Sequence, residues 1–433
     1  MPRELSAYGF RGMNNHPQPP GPLMDKEERR ITPEVVVNAD VTDAGVVMKR
    51  QGYARQVNLV APHSLWSGSV MLCIANGVQY PTSLWRITGE GAQELCAVEG
   101  TRARATYVEL NNLIYIGNPY WKAIYELNTG RVRPWGVNLP PTPSVSVVDG
   151  DLPPGVYLLA YTQVVNGQMS GNGPLLELRI EGLARGIQLN NLPAGGQAWI
   201  THGGGGKLFL ARLNGNRITR QAPEVQVLPT FGVQPPPGFT HFQYAFGRIW
   251  GAHGKKLCFS DPNFYGWFKA KNYLPFLEDL VMVAPVEDGL FVSSRAGTWF
   301  LRGTEPKEMV SKRVGNRAVP GTLTYAQVEG GGYEISRKLS QLPTPIWMTS
   351  KGFVVGTNNG HLVHLTEARL KIVGRTQGAS LTFSRDGIPR VITSIWGPPT
   401  TKEDARLSFI FKNNRLYVPK PIRVEGSGGV IIG

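Results

Sequence analysis

The chain has 433 residues, a formal net charge of +14 and only 18% charged residues. Hydrophobic residues make up 41%, which excludes disorder as the state of most of the chain. Gly and Pro account for 86 residues but are dispersed as turns, which excludes a collagen-like repeat. A chain of this length is expected to contain two or three hydrophobic cores.

Residues 1–45 predict an extended N-terminal arm. The run from Gly9 to Pro22 is rich in proline, which fixes φ and removes backbone donors, so neither helix nor sheet is expected there. The arm either gains order by lying on a neighbouring molecule or remains a solvated tail. In the first case we expect subunit or adaptor contacts by Phe10, Arg11, Met13, Asn14, Asn15 and Pro17.

Short apolar runs separated by turn dipeptides indicate an all-β fold, because helix-period patterns are nearly absent. A unit of two strands joined by a short polar link recurs along the chain. Its copies are 112–117 with 123–127, 247–252 with 257–260, 288–293 with 298–301, and 351–356 with 361–365, and a poorer copy is 76–80 with 83–87. The units that begin at 76 and 112 are 36 residues apart, and those that begin at 247 and 288 are 41 residues apart, which is typical of β-propeller blades. The region 314–342 blurs the period before the unit at 351.

One interval is too long for a single blade, because 135 residues separate Asn112 from Gly247. Two proline-rich seams, at 139–143 and 234–238, lie within it. The sequence therefore predicts a propeller, formed by residues 46–139 and 238–433, that is interrupted by a separate domain at residues 140–237. Short strands such as the run from Gly155 to Thr162 predict a fibronectin-III- or immunoglobulin-like β-sandwich there.

Enzyme motifs do not fit the sequence. The Gly-rich run 203–207 has Thr201 and Leu208 where a phosphate-binding loop needs Gly and Ser or Thr, so we expect a loop tip of the sandwich. The histidines are scattered, and His361 and His364 would point to opposite faces of a strand. Asp149 and Asp151 lack the further oxygens of a calcium loop and indicate a turn. We expect no catalytic, cofactor-binding or metal-binding residues and no enzyme activity.

The chain start has no apolar segment of a secretory signal, and no apolar run is long enough to span a bilayer. Three cysteines cannot build a disulfide framework, and Cys73, Cys96 and Cys258 are expected to be small core residues of a chain made in a reducing cytoplasm.

Positive charge is concentrated in one segment. The candidate basic contact patch consists of Arg295, Arg302, Lys312, Arg313 and Arg317. Other basic residues cluster at Arg102, Arg104, Arg131 and Arg133, and at Lys255 and Lys256. Such residues can bind nucleic acid or acidic protein surfaces. Subunit contacts are favoured because no RNA-recognition motif and no groove-binding helix is predicted.

Several phrases resemble structural proteins of tailed-bacteriophage virions. The segment from Asn38 to Gly45, the run Arg50-Gln-Gly-Tyr53 and the preceding Gly12-Met-Asn-Asn15 resemble the opening of such chains. Further similarity runs from Phe246 to Gly303, so the resemblance covers roughly 60% of the chain. It is to the tail nozzle and neck class, in which propeller subunits form a ring around the DNA exit channel.

The resemblance implies a non-enzymatic virion subunit in a homo-oligomeric ring with six-fold symmetry, made in the host cytoplasm. Its partners would be tail or head-to-tail adaptor proteins and viral DNA that passes without sequence readout. The alternative is a tail protein that binds or degrades carbohydrate, with Trp250, Trp267, Phe268 and Tyr273 stacking on sugars. A nucleic-acid-binding propeller is a third hypothesis.

Overall fold

The computed structural model describes residues 57–326, 343–367, 377–385 and 388–396, and seven short strand segments outside those ranges. Every helix or strand described is a β-strand, so the chain is all-β as predicted. Residues 59–276 form one compact unit, and residues 1–58 with 277–433 form another. The first strands pair as two hairpins: β1 (Leu23–Met24) with β2 (Ile31–Thr32), and β3 (Ala39–Val41) with β4 (Val47–Lys49).

Two four-stranded antiparallel sheets follow, and in each of them strands adjacent in sequence are adjacent in the sheet. The first contains β5 (His63–Ser67), β6 (Met71–Ala75), β7 (Ser83–Thr88) and β8 (Gly91–Ala97). The second contains β9 (Thr106–Leu110), β10 (Leu113–Gly117), β11 (Lys122–Glu126) and β12 (Val132–Pro134). This up-and-down order is that of a propeller blade.

Local sequence explains the tight turn between β9 and β10. Asn111 and Asn112 have φ of 53° and 60°, a backbone conformation that asparagine tolerates and that two-residue hairpins require. The two sheets share one apolar core, in which Leu72, Ile74 and Leu84 of the first meet Ile114 and Ile116 of the second.

The next eight strands form two facing sheets. These strands are β13 (Val145–Leu152), β14 (Gly155–Val165), β15 (Gln168–Met169), β16 (Leu176–Ile180), β17 (Arg185–Leu189), β18 (Gly196–Ile200), β19 (Phe209–Leu210) and β20 (Arg217–Ile218). One sheet has the order β13-β17-β20; the other has β15-β14-β18-β19, with β16 also paired to β14. Tyr157, Leu159 and Tyr161 of β14 pack with Ile187 and Leu189 of β17, so both sheets cover one core. This is the predicted sandwich.

A third blade-like sheet follows the sandwich. It has the order β21-β25-β24-β23-β22, formed by β21 (Val233–Gln234), β22 (His241–Ala245), β23 (Arg248–His253), β24 (Lys256–Asp261) and β25 (Phe264–Pro275). The predicted domain boundary, after residue 237, would place β21 in the sandwich. In the structure β21 instead pairs with β25 of the blade-like sheet. The chain enters the blade-like sheet before the second proline seam because Val233 is already buried there.

The blade-like sheets before and after the sandwich pack directly on each other. Trp135, which follows β12, is buried against Phe239 and Phe242 at ring-centroid distances of 5.9 and 5.0 Å. Its indole N–H donates to the backbone oxygen of Tyr265 at 2.9 Å. The sandwich is therefore an insertion between two sheets that share one core.

The second unit repeats the same plan. One sheet contains β26 (Leu280–Val286), β27 (Gly289–Ser294), β28 (Thr298–Arg302) and β29 (Val310–Gly315), and the next contains β30 (Thr324–Ala326), β31 (Thr344–Thr349), β32 (Gly352–Gly356) and β33 (Leu362–His364). Phe291 and Phe300 of the former pack on Trp347 and Val354 of the latter. The remaining strands are β34 (Gln377–Arg385), β35 (Ile388–Trp396), β36 (Ile410–Lys412), β37 (Arg415–Tyr417) and β38 (Gly429–Ile432). The chain thus has the predicted β-propeller-like fold with an inserted sandwich.

Two local predictions are wrong. Residues 76–80 were expected to be a strand but form a loop, whose Val78 and Gln79 N–H groups donate to the Glu94 carboxylate. The Asp149-Gly150 pair was expected to turn the chain, but it continues β13 as an irregularity in the pairing with β17.

Candidate assembly surface

The arm residues predicted to make contacts lie outside the described residues, as does the whole of 1–22. The candidate surface that can be built from side chains is therefore the basic patch on the sheet of β26–β29.

The patch lies at the outer edge of this sheet. Val310, Ser311, Lys312 and Arg313 of β29 are all exposed, and Val310 is 69% accessible. Arg302 ends the neighbouring strand and is also exposed. The pairing of β28 with β29 thus brings together Arg302, Lys312 and Arg313, whereas Arg295 lies in the link between β27 and β28 and the exposed Arg317 follows β29.

The basic side chains occupy both faces of the edge. Lys312 pairs with Phe300 and Arg313 pairs with Trp299 across β28 and β29. Because successive residues of a strand point to opposite faces, the two charges lie on opposite sides of the sheet. Arg302 pairs with Val310 and shares its face with Phe300 and Lys312.

Not every member of the patch is available to a partner. The Arg313 guanidinium donates to the backbone oxygen of Ala296 at 2.9 Å, which ties it to the β27–β28 turn. Arg295 lies 3.6 Å from the Asp279 carboxylate. Arg302 and Lys312 are therefore the patch residues on the paired strands that are best placed to meet another molecule.

Some residues of the other two basic clusters contact side chains of the same chain or are partly buried. Arg133 bonds the Glu126 carboxylate at 2.8 Å, and this contact holds the pKa of Glu126 below its usual value. Burial lowers the pKa of Arg104. Lys256 lies 4.5 Å from the ring centroid of Tyr273, a cation–π contact.

Two aromatic residues proposed for sugar stacking are core residues. Trp250 has no exposed surface and Phe268 only 3%, so neither can reach a ligand. The strand pattern did not reveal this, because burial here depends on packing between residues far apart in the chain. Phe268 shares a core with Tyr115 and Trp135, and Trp250 lies against Phe259 of the neighbouring strand. Trp267 instead stacks on Phe264 at 4.2 Å with nearly parallel rings, and Phe264 is 52% exposed.

The sequence pattern did not predict that Phe264 and Trp267 would stack on each other. Both rings lie on β25, three residues apart, at the point where its pairing with β24 is irregular, and no sequence motif marks this irregularity. The nearby cleft is lined by Trp267, Gly266, Gly136, Gln168 and Met169 but is too narrow to admit a water molecule.

Within the described part of the chain, no group of three His, Cys, Asp or Glu side chains converges as a metal site would require. The Gly-rich run is an exposed loop between β18 and β19, as predicted. No helix able to cross a membrane is present in the residues that the structure describes.

No family model matches the chain, and no curated protein is detectably similar to it. Among solved structures, BBS1N in complex with ARL6DN is similar with 13% identity over 80% of this chain and 91% of that one, at a TM-score of 0.31. The extracellular domain of a putative hybrid two-component system from B. thetaiotaomicron matches with 11% identity, over 78% and 37% of the two chains, at 0.30. AztD from Citrobacter koseri matches with 13% identity, over 80% and 91%, at 0.25. Likenesses this distant carry no information on function.

Proposed function

We propose that the protein is a non-enzymatic structural subunit of a bacteriophage tail or neck that assembles into a homo-oligomeric ring around the DNA channel. The observation that carries the proposal is the exposed basic edge of β29, on a blade-like sheet whose strands β26–β28 supply buried residues to a shared core. Identical subunits close a ring through heterologous contacts, in which one surface of each copy meets a different surface of the next. A charged edge opposite an acidic neighbour suits such a contact because it fixes orientation.

The proposal extends to location and partners. In the virion the subunit would contact tail or head-to-tail adaptor proteins, and DNA would pass without base recognition. The phrases from Asn38 to Tyr53 and from Phe246 to Gly303 support this assignment through their resemblance to the nozzle and neck class.

Imaging of the purified full-length protein by negative-stain electron microscopy tests the proposal. We expect closed rings with a central opening, and a molar mass by light scattering that is an integer multiple of 47.5 kDa. A protein that stays monomeric throughout the micromolar range, with and without other tail proteins, would contradict the proposal.

A carbohydrate-binding tail protein is the second candidate, favoured by the exposed face of the Phe264–Trp267 stack. Aromatic faces are the usual platforms for sugar rings. Incubation with host surface polysaccharide, followed by assays for binding and for new reducing ends, tests it. Loss of binding in Phe264→Ala, with binding retained in Tyr120→Ala at a separate exposed aromatic, would support this candidate.

A further inference from the structure

We propose that β29 binds an extended acidic segment of another protein chain, which adds to the sheet of β26–β29 as a fifth strand. This inference deepens the proposed function and rests on it for the partner being another component of the assembly. The binding itself is a property of the single chain and can be measured without a ring.

The outer edge of β29 is open to such an addition. β29 pairs with β28 on one side, and none of the described strands pairs with its other side. Four successive residues, from Val310 to Arg313, are exposed. An edge strand presents a row of backbone N–H and C=O groups that another extended chain can pair with.

The molecule already uses this form of association once. The short strand β21 adds to the outer edge of β25 and makes a fifth strand of that sheet, with Val233 opposite Lys269 and Gln234 opposite Phe268. A four-stranded sheet of this type therefore accepts a fifth strand at the same edge position without losing its order.

The charges at the edge select an acidic segment. Residues 295–317 contain six basic side chains and two acidic ones. Arg302 and Lys312 lie on one face of the sheet at this edge. Arg313 lies on the other face, and it keeps its positive charge although it bonds the Ala296 backbone. The edge is therefore basic on both faces, which matches a strand that carries carboxylates on both of its faces. A nucleic acid would instead be served by basic residues on one surface with exposed aromatic rings for its bases.

Edge charges have an alternative role, because lysine on an edge strand also discourages edge-to-edge aggregation. A purely protective role predicts that no peptide adds to β29. The two roles therefore differ in a direct binding measurement.

The experiment titrates the full-length chain into a fluorescein-labelled peptide, Thr-Glu-Glu-Val-Glu-Glu-Val-Thr, and follows fluorescence anisotropy. The same peptide with every backbone nitrogen methylated keeps its side-chain charge but has no N–H group to donate along either edge, so it cannot form a ladder. We expect saturable binding of the first peptide, binding at least tenfold weaker for the methylated one, and weaker binding as salt rises.

The variant Arg302→Glu with Lys312→Glu tests the site, and Arg313 is kept because it bonds the Ala296 backbone. The matched control is Lys255→Glu with Lys256→Glu, which makes the same change of charge at another exposed hairpin. We expect about tenfold weaker binding for the first variant and little change for the second. Circular dichroism of both variants verifies that they are folded.

Absence of binding, equal binding of the methylated peptide, or equal effects of the two double variants would each overturn strand addition. Displacement of the peptide by oligothymidylate together with equal binding of the methylated peptide would assign the edge to nucleic acid instead. The oligomeric state is recorded in the same samples by mass photometry. Peptide binding without rings leaves strand addition intact and contradicts the ring, whereas rings without peptide binding do the reverse.

Discussion

Gly171 lies where two backbone segments touch. A β-carbon at this position would overlap the carbonyl oxygen of Val233. Neighbouring polar contacts fix the same approach: the Thr230 hydroxyl donates to the Ser170 oxygen at 2.7 Å, and the Gly232 N–H donates to the Asn172 side-chain oxygen at 2.8 Å. Glycine is therefore needed here for close packing between the sandwich and the exit segment.

We expect Gly171→Ala to lower the free energy of unfolding by about 1–3 kcal/mol, because backbone on both sides cannot move to admit a methyl group. Gly206→Ala is the control, since a β-carbon there meets no atom within 4 Å. Urea unfolding of both variants gives the measurement. Equal stability of the two variants would show that the backbone at Gly171 and Val233 can move apart at little cost in free energy.

The three thiols should be poorly reactive in the folded protein. Burial disfavours the thiolate and raises the pKa of Cys73, Cys96 and Cys258 to about 11, from 9.0. At pH 8 the thiolate fraction, and with it the rate of iodoacetamide labelling, is expected to be about a hundredfold lower than in the urea-unfolded chain. As the pH rises above about 9, the thiols lose their protons in the unfolded chain at a lower pH than in the folded protein. This favours the unfolded chain, so the free energy of unfolding falls. Rapid labelling of any cysteine in native protein would contradict this.

The inserted sandwich lies between two blade-like sheets of the unit formed by residues 59–276. Its entry and exit lie side by side, since a β-carbon on Gly136 would come within 3.4 Å of the backbone of Pro235. Trp135 and Phe239, on either side of the insertion, belong to one core. The sandwich has a separate core of its own, formed by residues such as Tyr157, Ile187 and Ile218.

Replacement of residues 139–231 by a short Gly-Ser linker should therefore leave a chain that unfolds cooperatively, and residues 139–232 alone should fold. Far-UV and near-UV circular dichroism with thermal melts measure both. Removal of residues 106–134 is the control and should abolish folding, because these residues supply four of the eight buried residues of one shared core and three of the eight of the other. Loss of structure in the linker variant would show that the sandwich is part of the core.

The whole molecule has 45 basic and 31 acidic residues, which leaves a net charge of +14. A surplus of this size favours a partner of opposite sign and opposes close approach of like-charged copies. Ring formation would thus depend on a heterologous contact in which basic surface of one copy meets acidic surface of the next. The expected contact between the N-terminal arm and a neighbouring molecule is a second requirement.

We expect deletion of residues 1–30 to leave the propeller-like fold intact, because among the described strands it removes only β1 of the β1–β2 hairpin. We expect it to abolish ring or particle assembly, because the proposed role of the proline-rich arm is to reach a neighbouring molecule. Circular dichroism checks the fold, and electron microscopy checks assembly. The control is a full-length chain in which Phe10 alone is changed to Ala, which should weaken assembly without abolishing it. Normal rings from the truncated chain would assign no assembly role to the arm.

Strand period and turn chemistry determined much of this architecture from the sequence. The repeated strand pairs at 112–127, 247–260, 288–301 and 351–365 all lie in adjacent strands of the structure, because short apolar runs joined by Asn and Gly turns have few other ways to pair. The proline seams marked the insertion because proline interrupts a ladder of hydrogen bonds.

Other features depend on contacts between residues far apart in the chain, and only the tertiary structure decides them. Glu94 holds residues 76–80 as a loop, and Phe268 is buried in a core that it shares with Tyr115 and Trp135. Strand pairing likewise decides two further features. β21 adds to β25, and β29 is left at the edge of its sheet among the described strands. Local sequence fixes the conformation of each strand pair, whereas exposure is set by the neighbours that long-range packing brings to it.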